Sequence, residues 1–209
     1  MTENNTEPQS RIDLVIKYTP VEAHILAQIS EPVTDFGDEL KQLVDKLAAS
    51  LYFYEAMGIS AIQIGTPQQV FLVRTTADSY AVFVNPEIVN VSTETDIQNE
   101  GCLSFPGIFV PVERPVNISV KYQTIDGSWE AVQLTGIQAR CFIHEFDHLL
   151  GKTFLDRISL LKRTLIVGKM KKAVKTGKIK RDEMVVQYLE AMAAASKKDE
   201  KKDGKSTDV

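Results

Sequence analysis

Five residues, His144-Glu145-Phe146-Asp147-His148, constrain this chain more than any other stretch. Two histidines four positions apart act together only on a helix, where they stand on one face a turn apart and can present ring nitrogens to a single metal ion. Glu145 then projects about 100° round from His144. That places its carboxylate beside the ion rather than on it, where it can take a proton from a metal-bound water. The alternative is a core helix carrying two satisfied histidines. The flanking Phe142, Ile143, Phe146, Leu149 and Leu150 weigh against it. Imidazoles and carboxylates set in so apolar a surface need a charge partner, and a divalent cation is a natural one. Gly151 suits the helix stop.

The 209 residues suit one domain with a full core. No apolar run approaches the roughly 20 residues of a membrane span. Residues 1–11 are polar and acidic, unlike a signal or transit peptide. Cys102 and Cys141 are the two cysteines, too few for a disulfide framework, so a reducing, cytoplasmic setting is expected. The charges are uneven. Of 24 Lys+Arg and 28 Asp+Glu, 14 and 7 fall from Lys162 onward, so an acidic body carries a basic end. Such an end suits a phosphate-rich surface such as RNA, or is simply a solvated helix.

Along the chain, residues 1–10 read as disordered and 12–17 as a first strand. His24 has no acidic or thiol neighbour at ligand spacing, which favours a structural or surface role. Apolar residues at three- and four-residue steps predict a helix over 36–57, with Asp35 as a cap. Residues 56–65 (AMGISAIQIG) are too rich in small residues for a packed helix and too poor in charge for a solvent loop. Within them Gln63 is either part of a plain turn or a buried amide donor able to form half of an oxyanion hole. Residues 70–74 and 80–85 predict a hairpin, 86–91 continue extended, and 92–99 read as an exposed connection. Cys102, between Gly101 and Pro106, is either an inert core thiol or the thiolate ligand that two helical histidines still lack. Residues 117–122 and 129–134 flank Asp126-Gly127, a second hairpin. Residues 160–174 and 182–195 predict two more helices, and 197–209 a disordered end. Cys141 lies too far along the helix to complete a compact tetrahedron with the histidines and reads as a core thiol.

Three segments, Gly58-Ile59-Ser60-Ala61-Ile62-Gln63, Glu100-Gly101-Cys102-Leu103-Ser104 and His144-Glu145-Phe146-Asp147-His148, resemble in order and separation the signature segments of the peptide deformylase family. The resemblance implies an α+β fold of antiparallel strands wrapped round a central metal-binding helix, with additional C-terminal helices. It divides the chain into a disordered 1–10, a catalytic domain over 11–161, a basic helical extension over 162–196 and a tail over 197–209.

The implied activity is removal of the formyl group from the N-terminal formyl-methionine of nascent polypeptides by a metal-bound hydroxide. By this resemblance Cys102, His144 and His148 hold one divalent metal, Fe(II) first, with Zn, Ni or Co as substitutes. Glu145 is the general base, Gln63 and the Leu103 N–H hold the oxyanion, and Met57, Gly58, Ile59, Phe142 and Ile143 bind substrate. The partners are formylated nascent peptides and, through the basic extension, the ribosome; no membrane is implied. Ala56, Ser60, Ile62, Ile143 and Phe109 depart from the family's usual residues, which bears on the peptide-binding rim and not on the ligands or base. Arg114 is expected to answer Glu100 as an ion pair, with Asp147 in a similar supporting role. A zinc peptidase would share His-Glu-x-x-His but takes its third ligand downstream, where no histidine follows His148. A fold-retaining binding module is the remaining rival.

Overall fold

The computed structural model describes residues 23–176. A short helix α1 (Ala23–Leu26) leads into α2 (Asp38–Phe53). Strands β1 (Gly58–Ser60), β2 (Val70–Thr76) and β3 (Ser79–Val91) follow, then β4 (Thr95–Glu100), β5 (Val110–Pro115), β6 (Asn117–Gln123) and β7 (Trp129–Thr135). Helix α3 (Gly136–Leu149) carries the histidines, and α4 (Leu160–Lys175) closes the described chain. The strands form one antiparallel sheet in the order β1-β2-β3-β6-β7 and a separate antiparallel pair, β4-β5.

Strand β2 is apolar without interruption from Val70 to Val73 because both of its faces are covered. Successive side chains point to opposite sides. Val70 and Leu72 join Leu40, Leu43, Val44, Leu47 and Leu51 of α2. Phe71 and Val73 join Phe83, Ile118, Val120 and, from α3, Phe142 and Ile143. The five-stranded sheet is thus held between two helices, and α3 is fixed by its apolar face while its polar face looks toward the β4-β5 pair. A third cluster closes that side: Cys102, Phe105, Val110 and Val112 pack with Phe154 and Leu155 of the 3-10 turn Phe154–Arg157 and with Met170 of α4.

Both hairpins stand where the sequence puts them, and the extended 86–91 run is the second half of β3. Three expectations need correction. The connection expected at 92–99 is largely β4, paired in register from Thr95↔Pro115 to Glu100↔Val110. Its sequence, TDIQNE, shows no apolar alternation because among the described residues β4 is held by backbone pairing to β5 alone and by charged groups at one end. Helix α2 is shorter than 36–57, and Asp35 does not cap it; its Oδ1 accepts a hydrogen bond from the Gly37 N–H at 2.9 Å, one position before the helix begins. The expected strand at 12–17, the helix at 182–195 and the disordered ends at 1–10 and 197–209 lie outside the described residues.

Candidate metal centre

Helix α3 ends as its sequence requires. Gly151 has φ +67°, and a Cβ there would fall 2.5 Å from the Ala27 carbonyl oxygen, so glycine serves both the turn and the close approach of the N-terminal segment. With its apolar side on the sheet, the helix lines up Arg140, His144 and His148 at four-residue steps on the opposite side. Cys102 arrives just past the end of β4, in a turn closed by the Phe105 N–H on the Cys102 carbonyl at 2.8 Å.

The structure brings the three expected donors together. One ligand atom each of Cys102, His144 and His148 lies within 4.8 Å of the other two, and Cys102 Sγ is 3.3 Å from His148 Nε2. Tetrahedral coordination with metal–ligand bonds of about 2.0–2.3 Å separates donor atoms by about 3.5 Å. The group therefore fits one small divalent cation with little adjustment, and three protein donors leave a coordination position open.

Charge supports the same reading. Burial opposes a proton on His144, but hydrogen bonds to Cys102 and Glu100 and the charge of Glu145 outweigh it and raise its pKa well above the ordinary value. Those surroundings call for positive charge at this spot. Burial drives His148 the other way, so its ring is held neutral, the form that ligates a metal. His144 Nδ1 donates to Glu100 Oε2 at 3.1 Å, which fixes its tautomer and turns Nε2 inward.

Glu100 in turn is gripped by Arg114, whose Nε and Nη2 donate to its two oxygens at 2.9 and 2.8 Å. Burial alone would raise the Glu100 pKa; Arg114 and His144 reverse that and hold it well below the carboxylate range. Arg114 Nη1 also donates to Asp147 Oδ2 at 2.6 Å, and Arg157 closes on Asp147 from the far side. Both supporting roles expected of Arg114 and Asp147 are present.

Glu145 is 4 % exposed, with Oε2 lacking a hydrogen-bond partner among the described residues. Burial pushes its pKa up to about 7, against the pull of His144 and the Ser60 hydroxyl. A carboxylate so placed exchanges a proton easily near neutral pH. Gln63 turns out to be both a turn residue and an aimed donor. Its Oε1 accepts from the Ser60 N–H and hydroxyl at 2.9 and 3.1 Å, closing the 3-10 turn Ala61–Ile64. Its Nε2 donates to Ser104 Oγ at 3.2 Å and to Cys102 Sγ at 3.5 Å, so the amide faces the thiol. Leu103, next to Cys102, is buried.

The expected substrate contacts divide. Met57 is 40 % exposed, and Gly58 lies against Glu145. Ile59 packs in the α2 core, while Phe142 and Ile143 pack in the α3 core. The Phe142 ring packs edge-on against Phe71 and Phe83 with centroids 5.0 and 4.9 Å away. The motif marks these positions as apolar, which a core face requires as much as a pocket does. On α3, Ile137 is exposed and Cys141, one turn on, is half-buried.

Two imidazoles, one thiol and a flanking buried carboxylate, set between a sheet and a β-hairpin, make up the site of a mononuclear metallohydrolase. Residues 15–164 match the family model described as polypeptide deformylase. The peptide deformylase of Thermotoga sp. (strain RQ2) is 42 % identical over 154 residues, 74 % of this chain and 93 % of the relative. That of Rhodopseudomonas palustris (strain TIE-1) is 39 % identical over 158 residues, 73 % and 90 % of the two chains. Among solved structures, a peptide deformylase from Legionella pneumophila superposes with a TM-score of 0.71 at 32 % identity, over 80 % of this chain and 98 % of the other. The peptide deformylase from Plasmodium falciparum gives 0.70 at 34 % identity over 78 % and 96 %. The chain belongs to the polypeptide deformylase family.

Proposed function

We propose that this chain is a metal-dependent hydrolase that removes the formyl group from N-terminal formyl-methionine of nascent polypeptides, releasing formate and a free amino terminus. The observation that carries it is the convergence of Cys102, His144 and His148 beside buried Glu145. The proposed metal is Fe(II), with Zn, Ni or Co able to replace it. A mixed thiolate and imidazole set accepts each of these, and thiolate beside iron would make the enzyme oxygen-sensitive.

A divalent cation bound by this set acts as a Lewis acid, polarising a carbonyl and bringing the pKa of a water toward neutrality. The chain's own groups do the rest. Glu145 accepts the proton of the attacking water and passes it to the amine as the C–N bond breaks. Gln63 Nε2 and the Leu103 N–H are the donors proposed to meet the oxygen as it gains charge.

Among the described residues, strand β1 is at the end of the sheet and pairs only with β2, which leaves its other edge for an extended substrate. Pairing with the backbone of the β1 segment binds peptides whatever their sequence, and the exposed apolar side chain of Met57 beside it suits contact with a methionine side chain. The proposed division of the chain is a catalytic domain over 11–161 and a basic extension over 162–196. The charge of the extension supports docking on ribosomal RNA in the cytoplasm, where formylated chains emerge. No helix among the described residues is long and apolar enough to cross a membrane.

The test is formate release from formyl-Met peptides by protein purified without oxygen, with metal content measured alongside. Activity lost on chelation, restored by Fe(II), and absent toward acetyl-Met peptides supports the reading; a metal-loaded protein inert toward all formyl peptides contradicts it. For the extension, co-sedimentation with ribosomes over a salt series compares the full chain with one ending at Ser159. Equal, salt-insensitive binding by both rejects the docking.

A further inference from the structure

The donors of this site come from two separate pieces of structure. His144 and His148 ride on α3, which is anchored to the five-stranded sheet. Cys102 rides on the loop of the β4-β5 pair, which belongs to a different sheet. Whatever sets the distance between thiol and imidazoles has to bridge these two pieces at the polar face of α3.

Arg140 does so. It lies one helical turn before His144 and is 4 % exposed, although a charged guanidinium seldom sits so deep without full partners. Its Nη1 donates to Glu100 Oε1 at 2.6 Å and to the Val112 carbonyl at 3.0 Å. Its Nη2 donates to the Asp96 carbonyl at 3.0 Å and to Asp96 Oδ1 at 2.5 Å. One side chain from the helix thereby holds the backbone of both strands of the hairpin, as well as the carboxylate that orients His144. The charges close: Arg140, Arg114 and Arg157 face Asp96, Glu100 and Asp147.

We propose that Arg140, with Asp96 as its outer partner, is the positioning residue that sets the Cys102 thiol in register with the two histidines. It touches neither substrate nor metal. It acts through the hairpin, on the thiol, and through Glu100, on His144. A planar fork with five donors can span four acceptors on two strands, which an ammonium group at the same place cannot. This rests on the metal-site reading, and the test separates the two, because that reading stands or falls on the wild-type protein alone.

The experiment uses the full chain loaded with Co(II), whose absorption reports both the thiolate bond and the coordination geometry. Arg140→Lys and Asp96→Ala are compared with wild type by chelator competition, by the thiolate-to-cobalt charge-transfer band and by thermal unfolding without metal. The expected result is a tenfold or greater loss of Co(II) affinity with a shifted or weakened charge-transfer band in Arg140→Lys. Asp96→Ala changes both in the same direction by a smaller factor. Formate release then falls in kcat with KM little changed. Wild-type affinity and spectrum in Arg140→Lys overturn the proposal. Should that variant fail to fold, Asp96→Ala decides: its side chain is 39 % exposed, and a wild-type spectrum and affinity there overturn the proposal equally.

Discussion

Gly58 and Glu145 are so close that a Cβ on residue 58 would stand 2.6 Å from Glu145 Oε1 and 2.8 Å from its Cγ. Strand β1 and helix α3 therefore meet through a missing side chain, and Glu145, the proposed general base, is held in the space that results. Gly58→Ala is expected to push the carboxylate aside while leaving the three donors in place. A displacement of about 1 Å costs on the order of 100-fold in rate. The expected outcome is a kcat lower by about that factor with metal content unchanged. Wild-type turnover in this variant would show that Glu145 needs no such fit.

Glu145 also gives the metal-free protein a pH signature. Its pKa in the folded chain is raised from the ordinary 4.5 to about 7. The folded state then holds the proton more tightly than the unfolded one, so the stability this group contributes is fully present below about 4.5 and is lost as pH rises through 7. Subtracting the Glu145→Gln melting curve from that of wild type isolates the effect. The difference in Tm is expected to move against wild type between these two pH values, and a flat difference contradicts it. The same variant is expected to lose about 100- to 10,000-fold in formate release.

The Glu100–Arg114–Asp147 cluster is buried throughout, with Arg114 only 2 % exposed. Removing one member leaves uncompensated charge, which costs about 3–5 kcal/mol. Arg114→Met is therefore expected to lower the unfolding free energy obtained from urea titration by an amount in that range. A double variant, Arg114→Met with Glu100→Gln, is expected to recover part of it. A single variant as stable as wild type would mean that water reaches the cluster.

Cys141 shares a helix with the ligands yet is expected to be inert. Burial, then the charges of Glu145 and Glu100, push its thiol up to about 12. At pH 8 only about one thiol in ten thousand is then ionised, and the thiolate is the reactive form. Mass analysis after brief alkylation of the metal-loaded protein is expected to find neither cysteine modified, and both modified in denaturant. Fast labelling of Cys141 in the folded protein contradicts this.

Much of this arrangement was legible in the sequence wherever residue type and spacing are tied to one geometry. His144 and His148 at helical spacing, the Asp126-Gly127 turn and the glycine after α3 belong to that class. Cys102 by itself was not: nothing in the spacing excludes a core thiol, and the family resemblance singled it out before the fold brought it to His148. Strand β4 escaped because a polar edge strand has no alternation to read. Arg140 escaped for a related reason. Its role depends on carbonyls of two strands 28 and 44 residues away, and backbone partners leave no trace in side-chain pattern. The core packing of Ile59, Phe142 and Ile143 was not legible, because apolar character does not say whether a side chain meets substrate or core.

X-ray absorption at the edge of the bound metal tests the central claim most directly. The account requires one sulfur and two imidazole nitrogens in the first coordination sphere of the wild-type protein, with the sulfur near 2.3 Å and absent from Cys102→Ser. A wild-type spectrum with no sulfur neighbour, or one that survives that substitution unchanged, would contradict it.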